Sequence, residues 1–136
     1  MEKHVTSLEV SKRLKALGVK QESEFYWVES QINHKWVIER KEMVRLEIFG
    51  DSATSAFLAS ELGEMLPATI GNKTWLSWVK SRNSFEDCYR ISYDKWEHDK
   101  GAGLMLIKHV VDITMEKSMP DAFGLMLEYL IQNKLI

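Results

Sequence analysis

The sequence predicts an α+β fold: a mostly antiparallel sheet of about five to six strands, in two groups, packed by about three helices. The expected order is α-βββ-α-ββ(β)-α. Three features carry this expectation. Capped segments with helical spacing stand near both ends, two groups of aromatic and β-branched runs lie between them, and an apolar arc at helical spacing separates the groups.

The first helix is expected at about 7–17. Thr6 or Ser7 can cap it, and Glu9 is placed to complete a capping box on Thr6. Val10, Leu14 and Leu17 share one face, and Gly18 supplies a left-handed stop. Phe25-Tyr26-Trp27-Val28 then reads as a strand, with Trp36-Val37-Ile38 as its hairpin partner. Val44, Leu46 and Ile48 alternate with Arg45 and Glu47, the pattern of a half-buried third strand. Short connections favour an antiparallel meander.

A second helix is expected from about Ala53 to Leu66, stopped by Pro67, with Phe57, Leu58, Leu62, Met65 and Leu66 on its apolar arc. Trp75–Val79 and Tyr89–Tyr93 are strands flanking a loop from Ser81 to Asp87. The run from Leu104 to Thr114 suits either element; Val110, Val111 and Ile113 favour a strand. The last helix has Ser118 as cap, Pro120 in its first turn and Asp121 at the capping-box position. Phe123, Met126, Leu127, Leu130 and Ile131 form its core face, while Leu125 and Tyr129 lie opposite.

No stretch is low in complexity, so residues 1–136 are expected to form a single domain. Trp-Val-Glu-Ser at 27–30 is echoed by Trp-Val-Lys-Ser at 78–81, too short a match to establish a duplication. The net charge is −2, from 18 basic and 20 acidic residues, which argues against a strong polyanion binder. Cys88 is the only cysteine, so neither an intramolecular disulfide nor a cysteine-based zinc site is available. The first residues lack a secretory h-region, and no apolar run approaches the ~20 residues of a spanning helix. A cytoplasmic protein with no membrane contact is expected.

Catalytic spacing is missing. His4, His34, His98 and His109 form neither HxxxH nor HExxH, and no GxSxG, P-loop or dinucleotide fingerprint occurs. Asp94, Glu97, His98 and Asp99 have ligand chemistry but lie in a segment expected to be a solvated loop, so no metal and no cofactor are expected. Cys88 shares a strand face with Arg90, which can lower a thiol pKa, yet a structural thiol is preferred. Glu61 falls inside the second helix's apolar arc, where a packed stem with a solvated head is preferred to a functional acid.

The aromatic content is the compositional oddity. Trp75 and Trp78 differ by three and so face opposite sides of a regular strand; either one, with Lys80, Arg82 and Arg90, offers the stacking-plus-basic mixture of a single-stranded nucleic-acid platform, diluted by Glu86 and Asp87. Core anchoring is the preferred role for these tryptophans.

The segment Leu8-Glu9-Val10-Ser11-Lys12-Arg13-Leu14-Lys15-Ala16-Leu17-Gly18 leading into the strand Phe25-Tyr26-Trp27, with Ala59-Ser60-Glu61-Leu62-Gly63-Glu64-Met65-Leu66-Pro67 and Asp121-Ala122-Phe123-Gly124-Leu125-Met126-Leu127-Glu128-Tyr129-Leu130-Ile131, resembles small uncharacterised phage, prophage and other mobile-element proteins over about half the chain, in pieces, with no counterpart for about 98–117. That resemblance implies an accessory protein with no assigned activity and no site residues to carry over. The expected function is a non-enzymatic binding or interaction protein, with Leu125 and Tyr129 as a partner or self-association contact. Nucleic-acid binding through the Trp/Arg/Lys strand face is the alternative, and a small enzyme using Cys88 or Glu61 the third reading.

Overall fold

Ser7 starts the first helix: its Oγ accepts the Val10 N–H at 3.4 Å. The helix α1 runs Leu8–Ala16, and Gly18, at φ +81°, turns the chain away. The computed structural model describes residues 1–44, 52–71, 74–83, 86–99, 101 and 103–136, with backbone alone for 81–83, 86–87 and 114–116.

Thr6 is not the cap. It is fully buried, where its N–H donates to the Phe57 carbonyl (2.8 Å), its Oγ1 accepts the Phe57 N–H (3.0 Å) and contacts the Ser11 Oγ (2.7 Å). Its carbonyl accepts the Trp27 indole N–H at 2.9 Å. One threonine thus ties the N-terminal segment to three elements.

β1 (Phe25–Glu29) and β2 (Trp36–Arg40) form the expected antiparallel hairpin, with Trp27 opposite Ile38. The expected strand at 44–48 lies outside the described residues except for Val44, which is buried. The other edge of β1 is taken by β3 (Thr54–Ala56), with Phe25 opposite Ala56. The second helix is correspondingly shorter than expected: α2 spans Ala59–Met65. Its start is set by backbone partners rather than by apolar spacing. Residues 54–56 pair with β1, the Ser55 N–H donates to Gln21 Oε1 at 2.9 Å, and the Glu61 carboxylate accepts the Leu58 N–H at 2.7 Å. The other oxygen of Glu61 accepts the Glu24 N–H at 2.8 Å, so this acid clamps backbone rather than simply reaching for water.

The second sheet has the order β4-β5-β6, with β4 at Thr74–Asn83, β5 at Glu86–Asp99 and β6 at Leu104–Glu116. The loop expected at 81–87 is mostly strand, as is the 94–99 segment expected to be a loop, because antiparallel pairing extends through both, with a register shift between Tyr93 and Asp94. The ambiguous run from 104 is strand.

Ser118 caps the final helix α3 (Met119–Gln132) by accepting the Asp121 N–H. Asp121 in turn accepts the Ser7 N–H at 2.7 Å, linking the starts of α1 and α3, and burial pushes its carboxyl pKa up. Arg13 of α1 pairs with the buried Glu128 of α3 at 3.4 Å. Gly124 lets the two helices approach: a Cβ there would stand 2.6 Å from Val10 Cγ1. The main core joins Val10, Leu14, Phe57 and Leu62 to Phe123, Met126, Leu127 and Leu130 of α3, and to Ile91, Tyr93 and Val111 of the second sheet. Phe25, Trp27, Val5 and Ala56 form a second cluster on the small sheet. Among the described residues no helix is long and apolar enough to cross a membrane.

Candidate interaction surface

Cross-strand partners lie on one face of a sheet, so the register fixes what β4-β5-β6 presents on each side. Leu76, Tyr93 and Val111 stand opposite one another on the inner face, where the core lies. The Tyr93 hydroxyl donates to the Pro67 carbonyl at 2.6 Å, and burial raises its pKa to about 12, so it remains a neutral donor at ordinary pH. Trp75, Asp94 and His109 form the corresponding row on the outer face, with Asp94 buried and its Oδ1 2.5 Å from His109 Nδ1.

Past this row, among the described residues, 96–99 and 104–107 continue as a strand pair, the arm of β5 and β6. On its outer face Trp96 stands opposite Ile107 and His98 opposite Met105; on the other face Glu97 stands opposite Leu106 and Asp99 opposite Leu104. Core contacts end at Val111, so both faces meet solvent: Leu104 is 60% exposed, Ile107 53% and Trp96 55%. Met105, Leu106 and Val110 are exposed to a similar degree. Large apolar side chains are thus left in water on both faces of the strand pair, which is costly.

At the root of the arm, Trp75 and Trp96 meet at a ring-centroid separation of 5.9 Å, tilted by 40°. With Thr69, Thr74 and Met105 they line an apolar recess of about 460 Å³. Such a recess accepts an apolar or aromatic anchor from a partner. Two other clefts are polar or mixed: one of about 240 Å³ by Glu29, Ser30, Gln31, His34 and Ser52, and one of about 570 Å³ beside Met1–His4 and Trp36–Ile38. Neither Glu61 nor Cys88 lines any of the three. Among the described residues no group of three or more His, Cys, Asp or Glu side chains is arranged to hold a metal ion.

The sequence-predicted sites fare unevenly. Trp75 and Arg90 lie on the outer face, whereas Trp78 and Lys80 alternate onto the other, and the Arg82 side chain is outside the description. Arg90 is held bidentate by Asp112, at 3.0 and 2.8 Å, and Lys80 sits over the Tyr89 ring at 5.7 Å. These residues therefore do not assemble one basic aromatic platform. Leu125 is half-buried against the core, because α3 packs on α1 and α2 as well as on the sheet; of the Leu125–Tyr129 pair only Tyr129 is exposed, at 37%.

Leu104–Ile107 and Trp96 were not among the sequence candidates. Their signal was present in the pairing logic. An uninterrupted Leu-Met-Leu-Ile strand has no polar face, and its natural partner, Asp94–Asp99, is too charged to lie in a core. No family model, no curated protein and no solved structure matches this chain.

Proposed function

We propose that this is a non-enzymatic interaction protein that contacts another protein chain through its β5–β6 arm. The observation that carries the reading is the exposure of Trp96, Leu104, Met105, Leu106 and Ile107 on an ordered strand pair beyond the core. The helical and sheet core acts as a mount, and the arm supplies apolar side chains and free backbone edge. The resemblance of the three helical segments to mobile-element proteins supports an accessory role in such an element.

A triple variant, Leu104→Thr, Leu106→Thr and Ile107→Thr, keeps β-compatible residues while removing apolar surface. Expressed as the tagged full chain in the cells where it occurs, it should lose the co-purifying proteins that the wild type retains, with an unchanged unfolding midpoint. Recovery of the same proteins at the same yield would sink the reading.

A further inference from the structure

We propose that the free edge of β6 pairs with β6 of a second copy of this chain, antiparallel and centred on Ile107, so that two three-stranded sheets become one. This inference rests on the interaction reading and names the partner.

Among the described residues β6 has a strand neighbour on one side only. Its stretch 104–110 therefore offers a row of unpaired backbone groups. Among the described residues the outer part of the arm is a two-stranded ribbon, a form of marginal stability in water that a third strand secures. β6 contains no proline, and its two basic side chains are drawn back onto β5; the register shift between Tyr93 and Asp94 leaves Val110 as an extra residue and sets the inner limit of the regular edge. Lys108 pairs with Glu97 at 3.4 Å, and His109 with Asp94 at 2.5 Å. A second copy thus meets an edge whose Lys108 and His109 side chains are already engaged on β5.

Symmetry then restricts the register. Around a twofold axis normal to the sheet, opposed residues must share a face, so the strand meets its copy only where one residue opposes itself. Centring on Lys108 sets two ammonium groups face to face. Centring on Leu106 brings the Gly103 turn opposite His109 and shortens the apolar overlap. Centring on Ile107 opposes Met105 to His109 and Leu106 to the aliphatic stem of Lys108, with no like charges directly opposed, and the paired stretch ends where Leu104 meets the bulge at Val110.

Trp96, Leu104, Met105, Leu106, Ile107 and Val110 are each about half exposed, on the order of 600 Å² of surface per copy. Two copies thus hold at most about 1,200 Å² for such a pairing to cover, the lower end of the range for specific interfaces.

Sedimentation of the full chain tests the pairing. At roughly 100 µM the wild type should run at twice its 15.8 kDa mass. Ile107→Lys and Ile107→Glu should each run as monomers with unchanged circular dichroism, since Ile107 is exposed, and an equimolar mixture should recover the dimer. A monomeric wild type, dimeric single variants, or a mixture that stays monomeric overturns the proposal. A monomeric wild type whose triple arm variant still loses its co-purifying proteins leaves the interaction reading standing and removes only the self-pairing.

Discussion

Thr6→Val should lower the stability of the fold by about 2–4 kcal/mol, measured as a shift of the urea midpoint at unchanged slope. Valine fits the space of threonine but carries no hydroxyl. The Phe57 N–H then loses its 3.0 Å acceptor and the Ser11 hydroxyl its 2.7 Å neighbour, both in the interior. An unpaired buried donor costs its full desolvation, which exceeds the ~1 kcal/mol net worth of an ordinary hydrogen bond. Thr6→Ser is the control. It keeps the hydroxyl and removes only a methyl, so its loss should be near ~1 kcal/mol.

Gly124→Val should cost about 3 kcal/mol or more, despite valine being the better helix former. The added Cβ would stand 2.6 Å from Val10 Cγ1, 3.4 Å from Thr6 Cγ2 and 3.5 Å from Leu14 Cδ1. Val10 and Leu14 are themselves buried, so α1 and α3 must move apart, straining the Arg13–Glu128 pair and the Ser7–Asp121 hydrogen bond that join them. Val10→Ala opens the nearest contact, so the double variant should be less destabilised than the sum of the singles in the same denaturation measurement.

These two sites also show where sequence reasoning stops. The Thr6 side chain looks like a helix cap because Glu9 follows at the capping-box distance; its actual partner, Phe57, is 51 residues away. Gly124 within a helix is a propensity defect until α1 is known to press against it. Local signals succeeded where the structure is local: the Ser7 and Ser118 caps, the Gly18 stop, the β1–β2 hairpin and the α+β order are all legible. Thr54–Ala56 failed because pairing with β1 overrides an apolar spacing that suits a helix. Leu125 failed because α3 is packed from more than one side, which periodicity along a single helix does not report. The arm was half legible. Strand was the favoured reading from 104 onward, but its exposure depends on the core contacts ending at Val111, which no local pattern reports.

Amide hydrogen–deuterium exchange of the intact chain, at low and high protein concentration, tests most directly whether β6 is a working edge. The expected result is slower exchange across residues 104–110 as concentration rises, with no change at Ile91 and Tyr93 in the core. Exchange across 104–110 that is the same at both concentrations would contradict it.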